Sequence, residues 1–162
     1  MMKKRNHGRK RERGQALAEF AMITPLLVIL IFGFVDVARL YHSWVTIQGA
    51  AREAARYGVT GREDCPIASD DRVSCIEYHA EERAQPLANI DTGLTVSVRS
   101  WDYPDYVDPA IEGDPGQQCD ALEVQVEYDY SPSTPLADVL LGGVHLTARE
   151  RLVNEPFGVC GS

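Results

Sequence analysis

An uncharged, strongly apolar run dominates the N-terminal third of the chain. It reads FAMITPLLVILIFGFV, sixteen residues from Phe20 to Val35. A helix of that length covers about 24 Å, whereas the hydrocarbon core of a bilayer is about 30 Å thick. A membrane-spanning helix must therefore take in Glu19 or continue past Asp36. We predict a transmembrane helix over residues 15–37.

Helical periodicity continues beyond the apolar run to about residue 60. Apolar or small residues recur three or four positions apart and predict one stripe along the helix: Val37, Tyr41, Trp44, Gln48, Ala51, Ala55 and Gly58. Tyr41 and Trp44 lie where an interfacial aromatic belt is expected. Four alanines form a narrow face that another element can approach closely: Ala50, Ala51, Ala54 and Ala55. Residues 38–60 are therefore predicted to be a helical stalk.

Residues 61–162 have the pattern of a small α+β head. Three segments alternate apolar and polar residues and predict strands: Leu94–Trp101, Ala121–Tyr130 and Val144–Val153. Ile76 to Asn89 predicts a short amphipathic helix interrupted at Pro86. The expected fold class is α+β. A long N-terminal membrane-spanning helix packs at its outer half on a small, mostly antiparallel sheet of about three strands, with one short extra helix. The alanine face is expected to cover that sheet.

Charge is distributed asymmetrically along the chain. Residues 1–14 carry seven basic and one acidic residue, a net charge of +6, which leaves −14 on the other 148 residues of a chain whose total is −8. Positive charge stays on the cytoplasmic side of a membrane. We therefore expect a protein that crosses the inner membrane once. Residues 1–14 form a cytoplasmic leader, and residues 61–162 are extracytoplasmic. No small-x-small cleavage site follows the apolar run.

The four cysteines all lie in the part expected to be exported: Cys65, Cys75, Cys119 and Cys160. An even number in a small exported domain predicts two disulfides. Three connectivities are open, and we favour Cys65–Cys75 with Cys119–Cys160. The alternative is four free thiols. Their spacing includes no CxxC and resembles no zinc site.

A short motif precedes the apolar run. Gly14 is followed by Gln15-Ala-Leu-Ala and then Glu19, directly after the basic residues. The arrangement resembles the prepilin processing site of the type IV pilin superfamily. That resemblance implies cleavage after Gly14 by a prepilin peptidase, with Gln15 as the new amino terminus and Glu19 pairing with the ammonium of a neighbouring subunit. Such pairing would offset the desolvation of both charges. The alternative is a plain signal anchor in which this spacing is accidental.

A second resemblance covers about residues 14–60. The GQALAEFA opening, Pro25, Asp36 at the end of the apolar run and the stretch from Gly49 to Tyr57 are similar to the TadE-like family of minor pseudopilins. The resemblance implies a role in assembling a tight-adherence (Flp-type) pilus, with membrane lipid, a prepilin peptidase and other pilus subunits as partners. Pro25 is interpreted as a bend that aids subunit packing or as a neutral kink. The competing hypotheses are a membrane-anchored extracytoplasmic binding module and an accessory protein of a secretion system.

No pattern indicates an enzyme. His42, His79 and His145 are scattered, and no nucleophile elbow or phosphate-binding loop occurs. We expect no catalytic residue, no cofactor, no metal and no small-molecule substrate. The acidic segment from Asp102 to Asp120 contains enough carboxylates to suggest calcium, but a solvated acidic loop is the favoured interpretation. The acidic head also argues against nucleic-acid binding.

Overall fold

A single long helix forms the N-terminal third of the protein. The computed structural model describes residues 8–62, 64–67, 71–87, 93–134, 137–139, 142–156 and 160, with side chains described from residue 15 onward. Helix α1 spans Gly8–Gly58 and continues through Pro25. It thus begins seven residues before the predicted start, within the basic leader. One stretch of it, starting at Gln15, is long and apolar enough to cross a membrane.

Within the described residues, the head contains one antiparallel sheet of four strands. Strands β1 (Leu94–Trp101), β2 (Ile111–Glu112), β3 (Ala121–Tyr130) and β4 (Val144–Val153) lie in the order β2-β1-β3-β4. The three long strands have the predicted bounds, which confirms the α+β fold class. The expectation of about three strands missed β2, because two residues are too short to show an alternating pattern.

The alanine face of α1 packs on the sheet as predicted. Ala50, Ala51, Ala54 and Ala55 are each at most 1% exposed and belong to one core with the inward-facing side chains of β3. Those β3 side chains are Leu122, Val124, Val126, Tyr128 and Tyr130. Small helix residues let the helix backbone come close to the strand, so large strand side chains fill the interface.

The first turns of the stalk face the head with different residues from those predicted. Val37, Tyr41 and Trp44 are 61%, 64% and 45% exposed, whereas Asp36 and Ser43 are buried. The predicted stripe is correct only for its later members. The apolar pattern was misleading there because Val37, Tyr41 and Trp44 lie on the exposed side of the helix, while the buried side includes the polar residues Asp36 and Ser43.

The short extra helix, α2, spans Arg72–Ala84. Asp71 caps its N-terminus by accepting a hydrogen bond from the Ser74 amide at 3.2 Å. The helix was predicted over Ile76 to Asn89, but it begins four residues earlier, after the Asp71 cap, which was not recognised in the sequence. At the other end the helix stops before Pro86, and Asn89 lies outside the described residues. The buried side of α2 packs on α1 through Ile76, Ala80 and Ala84.

Two disulfides staple the head. Cys65 is bonded to Cys75 and Cys119 to Cys160, with Cα–Cα distances of 5.5 and 5.8 Å. This is the connectivity favoured from the sequence. The first links the segment after α1 to α2, and the second links the loop before β3 to the C-terminal segment.

Candidate functional site: the helix and its junctions with the head

The apolar part of α1 is exposed over its whole circumference. From Gln15 to Val35 every described side chain is exposed except that of Thr24, which is partly exposed. The Thr24 hydroxyl donates a hydrogen bond to the Phe20 carbonyl at 2.7 Å. The next residue, Pro25, has no backbone N–H to donate. An apolar surface of this extent needs lipid or other helices around it.

The residues of the processing motif lie on the first turns of this surface. Gly14 and Gln15 are within α1, and the Gln15 side-chain amide donates to a Glu19 carboxylate oxygen at 3.2 Å. Glu19 is exposed and is the one ionisable residue between positions 15 and 35. The structure therefore brings Gln15 and Glu19 together on one face, one helical turn apart.

The head contacts α1 at Asp36, where the apolar run ends. Asp36 is 3% exposed, and its carboxylate accepts hydrogen bonds from the Ser133 amide at 3.1 Å and from the Thr134 hydroxyl. The Tyr130 hydroxyl donates to the Asp36 carbonyl at 3.1 Å. Sequence reasoning identified Asp36 only as the end of the apolar run, because its partners lie almost a hundred residues downstream. The only indication in the sequence that Asp36 has a partner was its position, since a lone carboxylate at the end of an apolar run is usually paired.

A groove opens beside this junction. Its volume is about 270 Å³, and it lies between α1, the segment after α2 and the end of β3. Arg39, His42 and Ser43 line it from α1, and Ser131 and Ser133 line it from the segment after β3. We call it the Arg39 groove.

Arg72 joins α1 to the head at the opposite end. Its guanidinium donates to the Gly58 carbonyl at 2.6 and 3.1 Å, to the Gly116 carbonyl at 2.7 Å and to the Asn154 side-chain oxygen at 2.9 Å. The last carbonyls of a helix lack intrahelical partners and attract cations. One side chain thus connects the end of α1, the loop before β3 and the segment after β4. The sequence contained no signal for it.

Asn154 extends this network. Its side-chain amide donates to the Pro115 and Gln117 carbonyls at 2.9 and 2.7 Å, and its backbone amide donates to the Asp120 carbonyl at 2.9 Å. Gly116 has a φ of +71°, and a Cβ there would lie 2.9 Å from the Asp120 Cβ. Glycine is therefore required at that point of the loop.

The carboxylates of the 102–120 loop act as hydrogen-bond acceptors within the loop. Asp108 accepts from the Trp101 indole at 2.8 Å, and Asp120 accepts from the backbone amides of Tyr103 and Gln117 at 2.9 and 2.7 Å. In the described part of the chain, no three His, Cys, Asp or Glu side chains form a cluster that could hold a metal ion. Asp102, Asp105, Asp108 and Glu112 are exposed, as expected for the solvated acidic loop favoured from the sequence, whereas Asp120 is buried.

The three histidines of the described head and stalk lie apart from one another. His42 lines the Arg39 groove. His79 stacks on Tyr57, with ring centroids 4.1 Å apart. On the outer face of the sheet, the His145 Nδ1 lies 2.8 Å from an Asp129 carboxylate oxygen, and this hydrogen bond raises the pKa of His145.

Comparison with known proteins places these features in a family context. A family model described as TadE-like protein matches residues 14–56, which include Gly14, Gln15, Glu19 and Asp36. The match ends within the last turn of α1 and does not extend into α2 or the sheet. Neither a curated protein nor a solved structure matches the chain. The resemblance to the TadE-like family seen in the sequence is thereby confirmed, and over residues 14–56 this chain is similar to TadE-like proteins.

Proposed function

We propose that the chain is a minor pseudopilin that acts in assembly of a tight-adherence-type pilus. The observation that carries the proposal is one continuous helix with two distinct parts. Its exposed apolar part contains Glu19 as the lone ionisable residue, and its later part is fixed to a folded head. The TadE-like match covers both parts. A subunit that must leave the bilayer and pack with others needs this combination.

Processing after Gly14 is part of the proposal. Because Gly14 and Gln15 lie within α1, a prepilin peptidase has to unwind the first turns to reach the peptide bond. Glycine lowers that cost by about 1 kcal/mol relative to alanine. Cleavage would remove residues 1–14 with their net charge of +6 and would create an ammonium group on Gln15.

The new ammonium group then has a defined role. Glu19 is exposed toward the lipid, and in this structure its carboxylate accepts a hydrogen bond from its own helix, from Gln15. A carboxylate in or beside hydrocarbon is costly unless it is paired. The ammonium of a neighbouring, staggered subunit would replace the Gln15 amide and neutralise that charge, which would favour docking of the next subunit.

The proposed topology follows from the same features. The basic leader remains in the cytoplasm, α1 crosses the inner membrane once, and the head lies outside the cytoplasm, where both disulfides are stable. The partners would be membrane lipid, the peptidase and other pilus subunits. The head supplies a rigid body that Asp36 and Arg72 fix to the helix.

The alternative functions keep the anchor but do not need Glu19. A membrane-anchored binding module would act through its head, and a secretion-system accessory protein would use the same helix in another machine. The exposed Tyr103 and the exposed acidic residues of the 102–120 loop are compatible with a binding head. The effect of replacing Glu19 distinguishes the pseudopilin from these alternatives, because only the pseudopilin needs that carboxylate.

Glu19→Gln tests the proposal in cells that assemble the pilus. We expect surface pili to be lost while the protein remains in the membrane, because an amide cannot neutralise a neighbouring ammonium. Glu53→Gln is the matched control, since Glu53 is an exposed carboxylate on the same helix beyond the apolar part. N-terminal sequencing of the wild-type protein should begin at Gln15. Normal piliation in Glu19→Gln, or an intact residue 1 in cells that contain the peptidase, would contradict the proposal.

A further inference from the structure

Two features at the end of the head nearest Asp36 have no part in the proposed assembly role. One is the Arg39 groove, and the other is the exposed side chain of Val139 in the β3–β4 connection. Both lie beside the point where α1 leaves its apolar part. Together they form a surface with a cationic groove and an apolar side chain, which suit the phosphates and the acyl chains of a bilayer.

The position of the Arg39 groove along the helix is the first argument. Arg39 follows Asp36 by three residues, about 4.5 Å along the helix axis. The headgroup layer on each side of a bilayer is roughly 5–8 Å thick, as the difference between the full bilayer and its hydrocarbon core implies. If the hydrocarbon ends near Asp36, the Arg39 guanidinium is at the level of the lipid phosphates.

Charge is the second argument. Among the described residues Arg39 forms no ion pair, whereas Arg52 and Arg99 pair with glutamates. The nearby Asp36 carboxylate is turned toward the head and is occupied by Ser133 and Thr134. A basic residue just outside the membrane also runs against the usual preference for cytoplasmic positive charge. Arg39 therefore acts on the Asp36 carboxylate without forming an ion pair in the described part of the chain, and its exposed guanidinium is open to an added anion.

The groove supplies further donors for a phosphate. Ser43, Ser131 and Ser133, which each carry a hydroxyl, line the same cavity as Arg39. Guanidinium and hydroxyl groups are the donors that proteins commonly direct at phosphate oxygens. A volume of about 270 Å³ is sufficient for one headgroup phosphate.

Val139 is the third argument. Its connection begins after Tyr130 and ends before Val144, which are register partners at the Asp36 end of the sheet. Val139 is 83% exposed, although the turn that carries it is held by the Asp138 amide on the Thr134 carbonyl at 3.0 Å. An exposed apolar side chain beside the membrane boundary is suited to entering the bilayer interface.

We propose that the Asp36 end of the head docks on the bilayer surface, with the phosphate of an anionic phospholipid in the Arg39 groove and Val139 at the acyl boundary. The inference rests on the membrane anchoring in the proposed function. It adds a second attachment, which holds the head at a fixed height and tilt above the membrane before the subunit is incorporated.

Depth-dependent fluorescence quenching tests the docking in proteoliposomes of the full chain. Brominated phospholipids should quench Val139→Trp, made in a Trp44→Phe background. They should not quench Val107→Trp, a control at the opposite end of the head where the wild-type side chain is 70% exposed. Leu30→Trp reports the anchor separately. If the Leu30→Trp variant is quenched and the Val139→Trp variant is not, the docking is overturned and the anchor stands. Quenching of neither would overturn the anchor as well.

The chemistry of the groove is tested by native mass spectrometry of the detergent-solubilised chain. Phosphatidylglycerol should be retained by the wild type, and Arg39→Gln should reduce its retention several-fold. Arg56→Gln, an exposed arginine near the other end of the stalk, should retain it as the wild type does. Equal retention of diacylglycerol, which lacks phosphate, would overturn headgroup recognition. Complete displacement by millimolar inorganic phosphate would show a site for free phosphate, and retention of another pilus protein in place of lipid would show a protein-docking surface.

Discussion

The Tyr130 hydroxyl donates a hydrogen bond to the Asp36 carbonyl at 3.1 Å and so joins residues 94 positions apart. Tyr130 is the last residue of β3, and Asp36 is the first residue of α1 that the head buries. The contact is made at the boundary between the apolar and packed parts of the helix. It fixes the point at which the head begins, and four predictions follow from this and related contacts.

Removing the Asp36 carboxylate should loosen the segment after β3. In Asp36→Ala the Ser133 amide and the Thr134 hydroxyl lose their acceptor, and the loss of two hydrogen bonds in this part-buried junction costs free energy. We expect faster hydrogen exchange at the Ser133 amide and its neighbours, measured by mass spectrometry in detergent. Tyr130→Phe should have a smaller effect, and Tyr41→Phe, at an exposed position on the same helix, should have none. Unchanged exchange in Asp36→Ala would show that this junction is not a structural constraint.

Adding a methyl group at Gly58 should destabilise the head. A Cβ there would lie 2.5 Å from the Leu122 Cδ2 and 2.9 Å from the Ile76 Cδ1. Overpacking of this kind costs about 1–3 kcal/mol, so Gly58→Ala should lower the melting temperature of the head. Gly33→Ala is the control, since nothing lies within 4 Å of a Cβ at that position. Adding Leu122→Val should restore part of the loss if the clash is its cause.

Replacing Arg72 by lysine should also destabilise the head. A lysine keeps the charge but cannot bridge the carbonyls of Gly58 and Gly116 and the side chain of Asn154 at once. Hydrogen bonds to charged groups are each worth about 1.5–3 kcal/mol, so we expect a loss of at least about 2 kcal/mol in the free energy of unfolding by urea. Arg83→Lys, at an exposed position on α2, should change it little. Equal stability of the two variants would contradict the assigned role.

The head should lose a small part of its stability as the pH rises through neutrality. The hydrogen bond from Asp129 raises the pKa of His145 in the folded state above its value in the unfolded chain. The protonated histidine therefore stabilises the fold fully below the unfolded pKa, and this contribution disappears as the pH passes the folded pKa. His145→Gln should melt with a weaker dependence on pH between 6 and 8. Nuclear magnetic resonance titration of the His145 ring measures its folded-state pKa, and a value below that of the unfolded chain would contradict the prediction.

The elements that could be predicted from the sequence are those whose signal is local. β1, β3 and β4 have the predicted bounds because one face of each strand is buried and the other is polar. The alanine face was recognisable because few alternatives explain four alanines at helical spacing. The TadE-like segment could be identified from Gly14, Glu19 and the residues that follow them.

The features that could not be predicted depend on distant partners. Arg72 is one arginine among many until the fold brings Gly58, Gly116 and Asn154 around it. The side of the first stalk turns that faces the head could not be predicted either, since Val37 and Tyr41 are exposed although their residue types are common in cores. Strand β2 exists because Ile111 and Glu112 pair with the end of β1, and two residues have no periodicity of their own.

The two junctions at Asp36 and Gly58 determine how the subunit would bear a pull. They are separated by 22 residues of α1, about 33 Å, and β3 runs beside them for about 30 Å. A tension applied along α1 would therefore load the interface between helix and sheet in shear, with contacts at both ends strained together. An interface loaded in that direction resists far more force than one peeled open from a single end. We therefore expect the head to stay attached to its helix when α1 is drawn lengthwise.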